Sequence, residues 1–169
     1  MCVLVGPPGS GKTTVGRLVA GRLEVPFRDT DDDVEVLAGK PIPDIFFDDG
    51  EAVFRAFEER AVAAALAEHD GVLALGGGAI LRPETRALLV PHFVVHLRVS
   101  LHDATRRVGW GAGRPMLDLN PRAKLAELMA AREPLYAEVA AAEVTTTDRA
   151  AGDVAAEVLA LLVVQPGTT

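Results

Sequence analysis

The sequence has a single cysteine, Cys2, which excludes an internal disulfide framework and any metal site built from thiolates. Cys2 reads as a small buried hydrophobe. There is no excess of positive charge: 17 Lys+Arg stand against 24 Asp+Glu, for a formal net charge of −7 and a pI of about 5.1. A protein that grips a nucleic-acid backbone needs a basic face. The composition therefore argues against nucleic acid as a partner, although it leaves room for local basic pockets. No apolar run reaches the ~18 residues that a membrane helix requires. The opening stretch MCVLVGPPGSGKTT has neither a basic n-region nor a cleavage site, so no secretory leader is read there. The expectation is a cytoplasmic protein, away from membranes and, with no apolar patch evident, a monomer.

What is present is an ordinary globular composition, 49% hydrophobic and 24% charged over 169 residues, enough for one domain with a full core. Short apolar runs alternate with helical patterns. Strands are expected near residues 3–5, 26–29, 72–75, 93–98 and 144–146. Helices are expected near 12–23, 32–38, 51–69, 83–89, 101–107, 122–142 (broken before Pro134) and 150–163. Strands alternating with helices imply a parallel sheet covered on both faces. The expected organisation is one domain over 1–164 with a disordered tail at 165–169. Residues 109–121, GWGAGRPMLDLNP, have no periodicity and carry Arg114 in their middle. A loop of that length in a compact domain reads as a lid, and Trp110, the sole tryptophan, sits at its start.

The clearest motif is GPPGSGKT, residues 6–13, which fits G-x-x-x-x-G-K-[ST] at every fixed position. It follows an apolar strand and opens a helix, the context such a loop needs. Gly6, Gly9 and Gly11 let the backbone turn its N–H groups toward phosphates, and the helix N-terminus adds positive potential. Gly9, Ser10, Gly11, Lys12, Thr13 and Thr14 are the candidate nucleotide contacts. Lys12 is placed to reach the β- and γ-phosphates, and the Thr13 hydroxyl to ligate Mg²⁺.

Many loops of this kind borrow a metal-side acid from the end of a neighbouring strand. Here GVLAL, residues 71–75, is followed by GGGAI, and no acid stands there. Neither D-x-x-G nor N-K-x-D is evident, which counts against a signalling GTPase. The acid must come from elsewhere, or water must take its place. Asp29, at the end of the second strand and on the edge where ligands of open α/β sheets collect, is the candidate. Gly76, Gly77 and Gly78 allow a left-handed turn before the next helix, but three in a row favour a wall that something approaches closely. In RDTDDDVEV, residues 28–36, Asp32 and Asp33 read as first-turn acids favoured by the helix dipole, with Thr30 to Asp33 as a capping box.

FFDDGEAVFRAFEERA, residues 46–61, puts Arg55 and Glu58 at i,i+3 on one helix. Taken alone, that is a surface ion pair. Arg132 precedes EPLY, and two well-placed arginines bind a carboxylate through bidentate forks. The sequence does not show that they converge.

Taken together, GPPGSGKTTVG, DTD, FxxDGExxFRxxE, LGGGA, RPML and REPLY resemble, in order and spacing, the shikimate kinases. The resemblance runs from about Val3 to Arg149. It implies a three-layer α/β/α, nucleoside-monophosphate-kinase-like P-loop fold with a five-stranded parallel sheet in order 2-3-1-4-5. It implies ATP- and Mg²⁺-dependent phosphorylation of the shikimate 3-hydroxyl. On that resemblance Asp29 serves Mg²⁺ through water, and Asp31 holds the acceptor hydroxyls. Arg55, oriented by Glu58, and Arg132 hold the carboxylate. Gly77 and Gly78, next to Gly76, contact shikimate, within an acceptor region of about 31–58. Arg114 reaches the phosphates, and Arg107 and Arg149 flank adenine. Lys12, Asp31 and Arg114 would be the catalytic set, with Asp31 positioning the hydroxyl more than removing its proton. Met116 departs from the usual leucine by a volume-conserving swap, and GWGAG is unlike the family's common lid start. The rival readings are another small-molecule kinase, such as a gluconate kinase, and a non-catalytic nucleotide-binding regulator.

Overall fold

In the computed structural model, residues 1–108 and 120–163 are described. The chain runs β1 (Cys2–Val5), α1 (Lys12–Leu23), β2 (Phe27–Asp29), α2 (Thr30–Ala38), α3 (Ile42–Asp48) and α4 (Glu51–Glu68). It continues with β3 (Val72–Ala74), a 3-10 turn (Ala79–Leu81), α5 (Pro83–Leu89) and β4 (Phe93–Arg98). It closes with α6 (Leu101–Val108), α7 (Pro121–Val139), β5 (Ala142–Thr145) and α8 (Ala151–Val163). The strands form one five-stranded sheet in the order β2-β3-β1-β4-β5, and each paired neighbour is parallel. The expected sheet and its order are therefore observed.

β1 is central, and its side chains divide by the period-2 rule. Cys2 and Leu4 join a core with Val15, Val19, Val154 and Val158 from α1 and α8. Val3 and Val5 join a core on the opposite face with Val62, Ala65 and Tyr136 from α4 and α7. Burial on both faces explains why CVLV is apolar throughout rather than alternating. A smaller cluster, Val34, Ile45, Phe54 and Ala61, ties α2, α3 and α4 together beside the sheet. No helix among the described residues is long and apolar enough to cross a membrane.

Three local expectations are corrected. First, α7 does not break before Pro134 but runs through it. A proline inside a helix costs ~3 kcal/mol by removing a donor and crowding the preceding turn. Tyr136, buried at 1% exposure, and Leu135 and Val139 beyond the proline pack on the core, which offsets that cost. Second, the cap of α2 is Asp29, whose side chain accepts from Asp31 N at 3.1 Å; Thr30 is already helical and its hydroxyl is used elsewhere. Third, the stretch between α2 and α4, where no element is expected from the sequence, holds α3, which follows Pro41 and is packed through Ile45 and Phe46 in the third cluster.

Candidate active site

Parallel strands send all their C-terminal ends to one edge of the sheet, so the turns that follow them are neighbours. The phosphate loop follows β1. Gly9 and Gly11 sit at φ 79° and 89°, the left-handed region that a side chain would resist. Lys12 Nζ donates to Gly6 O at 2.8 Å and Pro7 O at 3.1 Å, folding its ammonium back over the loop.

β2 ends at Asp29, which is in register with Ala74 of β3. The DTD segment and the glycine run therefore leave the sheet side by side. Thr13 Oγ1 donates to Asp29 Oδ2 at 2.7 Å, and Asp29 is 9% exposed. A hydroxyl and a carboxylate brought together at the mouth of a phosphate loop form an all-oxygen donor set, the chemistry that a hard divalent cation takes. Elsewhere, His96, Glu133 and Glu143 bring ligand-type atoms within 4.8 Å of one another. There, however, Arg98 already bonds both carboxylates, at 3.1 and 3.5 Å.

None of Gly76, Gly77 and Gly78 has a positive φ, so the left-handed turn is not the reason for them. Close approach is. A Cβ on Gly76 would fall 2.6 Å from Asp31 Oδ1 and 2.8 Å from Glu58 Oε1, and one on Gly78 would collide with the Arg55 guanidinium. On Gly77 it would lie 3.2 Å from Pro8 Cδ, so the run also touches the phosphate loop. The glycines thus form a backbone wall with Asp31, Glu58 and Arg55 against it.

Arg55 and Glu58 are not a surface pair. Glu58 is 3% exposed and accepts from Arg55 Nη1 at 2.6 Å, while Glu51 takes Arg55 Nη2 at 3.1 Å. Burial alone would lower the Arg55 guanidinium, but the charge and hydrogen bond of Glu58 hold it above the usual arginine value. Arg132 reaches the same wall from α7, donating to Gly77 O at 3.0 Å. Its guanidinium is held below the usual value by burial, with the Arg55 charge pushing the same way. A half-buried cation beside another favours an anion between them.

A cavity of about 260 Å³ opens on the other side of the phosphate loop. Ser10, Gly11 and Thr14 line it with Arg107 and Arg149. Arg107 donates to Gly9 O, to Thr146 O and to Asp103 Oδ2, at 3.3, 2.8 and 3.3 Å. Arg149 is anchored on Glu157 at 2.6 Å. The sequence-predicted residues are thus brought together in two adjacent groups, one on each side of the loop. Arg114, Trp110 and most of the expected lid lie outside the described residues.

Sequence reasoning missed four side chains that organise these groups. Thr30 Oγ1 accepts from Gly76 N at 2.9 Å, and Tyr136 OH donates to Gly77 O at 2.6 Å. Asp103 holds Arg107, and Thr146 Oγ1 accepts from it at 3.0 Å. Only the Asp103–Arg107 pair left a signal, its i,i+4 spacing on one helix.

Comparison with known proteins agrees with this geometry. The shikimate kinase family model matches residues 8–163. A shikimate kinase of Salinispora arenicola is 63% identical over 162 residues, covering 96% of this chain and 97% of the relative. One of Salinispora tropica is 62% identical, with the same coverage. The structure of the Acinetobacter baumannii shikimate kinase in complex with shikimate superposes with a TM-score of 0.91 at 38% identity, over 96% of this chain and 92% of that one.

Proposed function

The chain belongs to the shikimate kinase family, and from that premise we propose how its residues carry out ATP-dependent phosphorylation of the shikimate 3-hydroxyl, which yields shikimate 3-phosphate and ADP. Family membership at this identity sets aside the gluconate kinase and the non-catalytic regulator.

The observation that carries the assignment of residues is the convergence of Arg55, Arg132 and Asp31 on one glycine wall that also touches the phosphate loop. Phosphoryl transfer asks chiefly for alignment and charge neutralisation. Gly9, Ser10, Gly11, Lys12, Thr13 and Thr14 cradle the triphosphate, while Arg107 and Arg149 flank the base in the cavity behind the loop. Thr13 and Asp29 would hold Mg²⁺, which supplies charge neutralisation at the phosphates. Arg55 and Arg132 clamp the shikimate carboxylate, with Glu58 fixing the Arg55 fork. Asp31 positions the ring hydroxyls, and Gly76, Gly77 and Gly78 shape the pocket. Arg114 completes the set at the phosphates on the strength of the family resemblance.

The unit at work is one kinase domain over 1–164, with its acceptor region at about 31–58. It acts as a monomer in the cytoplasm on small molecules, without nucleic acid or membrane, and the formal charge of −7 supports that reading. The test is ADP release with ATP and Mg²⁺ in the presence of shikimate, of gluconate, or of no acceptor. Release should depend on shikimate. Equal release in all three arms would sink the assignment.

A further inference from the structure

The acceptor wall at residues 76–78 has no side chains of its own. Its place is set by whatever holds its backbone, and two buried hydroxyls do so. Thr30, 0% exposed, accepts from Gly76 N at 2.9 Å. Tyr136, 1% exposed, donates to Gly77 O at 2.6 Å.

We propose that Thr30 and Tyr136 are positioning residues for the acceptor: Thr30 sets the wall in register with Asp29 and Asp31, and Tyr136 fixes the Gly77 carbonyl and through it the Arg132 guanidinium. The inference rests on the reading of Arg132 and residues 76–78 as the shikimate site.

Thr30 stands between Asp29, on the metal side, and Asp31, on the acceptor side. Its hydroxyl links that pair to the first glycine of the wall, where the clearances are tight: a Cβ on Gly76 would meet Asp31 and Glu58 inside 3 Å. A displacement of a fraction of an ångström therefore alters the room left for the acceptor beside Asp31.

A carbonyl oxygen offers two lone pairs, and Gly77 O receives two donors, Tyr136 OH and Arg132 Nη1. The phenol is the fixed one. Its ring stacks on His96 with centroids 4.9 Å apart, and burial pushes its pKa up to about 12, so it remains a donor at working pH. The Arg132 fork rests against a carbonyl whose position the phenol sets. Tyr136→Phe removes that restraint but leaves Gly77 O with the Arg132 donor, so no buried carbonyl is orphaned and the fold tolerates the change.

A residue that only filled the core would not distinguish between the two substrates. The experiment compares wild type, Tyr136→Phe, Thr30→Val and Thr30→Ser by steady-state kinetics with each substrate varied, and by thermal melting. Tyr136→Phe should raise the shikimate KM about three- to tenfold, the scale of one lost hydrogen bond, and leave the ATP KM unchanged. Thr30→Val should raise the shikimate KM and lower kcat, and Thr30→Ser should restore both. A wild-type shikimate KM in Tyr136→Phe, or an equal rise in both KM values, overturns the role of Tyr136 while leaving the activity intact. Thr30→Ser behaving like Thr30→Val overturns the role of the Thr30 hydroxyl. A wild-type enzyme that releases no ADP in response to shikimate removes the activity reading, and both positioning roles fall with it.

Discussion

Thr13 Oγ1 donates to Asp29 Oδ2 across 2.7 Å. The bond joins the last residue of the phosphate-loop motif to the last residue of β2. It brings an acid to the place that the glycine run after β3 leaves without one. The same Asp29 caps α2 through Asp31 N at 3.1 Å, so one carboxylate orients Thr13 and starts the helix that carries Asp31.

Asp29→Asn keeps an acceptor for the cap but removes the charge. Half-maximal ADP release in this variant should need about ten- to hundredfold more Mg²⁺, the usual cost of losing an oriented partner at a metal. A Mg²⁺ titration superimposable on wild type would show that Asp29 does not serve the metal.

Arg132→Lys keeps the charge and loses the fork. Because Arg132 is half-buried and rests on Gly77 O at 3.0 Å, a lysine there would offer the proposed clamp a single point charge in place of two parallel donors. Shikimate affinity should fall about tenfold or more, in line with the loss of one charge-assisted hydrogen bond, with ATP affinity unchanged. Calorimetric titration of shikimate checks it, and unaltered affinity would refute the carboxylate clamp.

Glu58→Ala leaves the half-buried Arg55 without its nearest partner and with only Glu51, which is two-thirds exposed at 66%. Removing one side of a fully buried ion pair costs about 3 kcal/mol or more, so the loss here should be up to about 3 kcal/mol. Denaturant unfolding should show that loss, and saturating shikimate should recover part of it by binding the folded state alone. A loss within error of zero would mean that Glu58 does not support Arg55.

His96 makes stability depend on pH. Burial holds its imidazole below the ordinary 6.5, against the pull of Glu143 and Glu133, with Arg98 adding to the lowering. A lowered folded value means that the unfolded chain takes up the proton first as pH falls. The contribution of His96 is therefore whole above about pH 6.5 and is lost progressively below it, down through its lowered folded value. The slope is at most about 1.4 kcal/mol per pH unit for one proton. Unfolding free energies between pH 7.5 and 5 should fall more steeply for wild type than for His96→Asn. Parallel curves would show that another group carries the dependence.

Much of this molecule was legible in the sequence because the signals are local. The phosphate loop, the alternation of strands with helices and the first-turn acids of α2 each follow from residues near one another in the chain. The bounds of α1, α5 and β4 match the periodicity to the residue. The break expected at Pro134 failed because a local cost was outweighed by tertiary packing of Tyr136. The capping box at Thr30 failed because Asp29 offered a better-placed acceptor and Gly76 claimed the Thr30 hydroxyl.

The sequence by itself determined the chemical groups on offer: a phosphate-loop motif, a cluster of aspartates, two arginines beside acidic partners or an aromatic run, and three glycines in a row. Only the tertiary structure decided which of these meet. Arg55 and Arg132 stand on different helices, and Asp29 and Ala74 become partners only through the parallel register of β2 and β3. Convergence of that kind is set by the order of strands in the sheet and by which helix face is buried. Those are properties of the whole packed core, and no short stretch of sequence carries them.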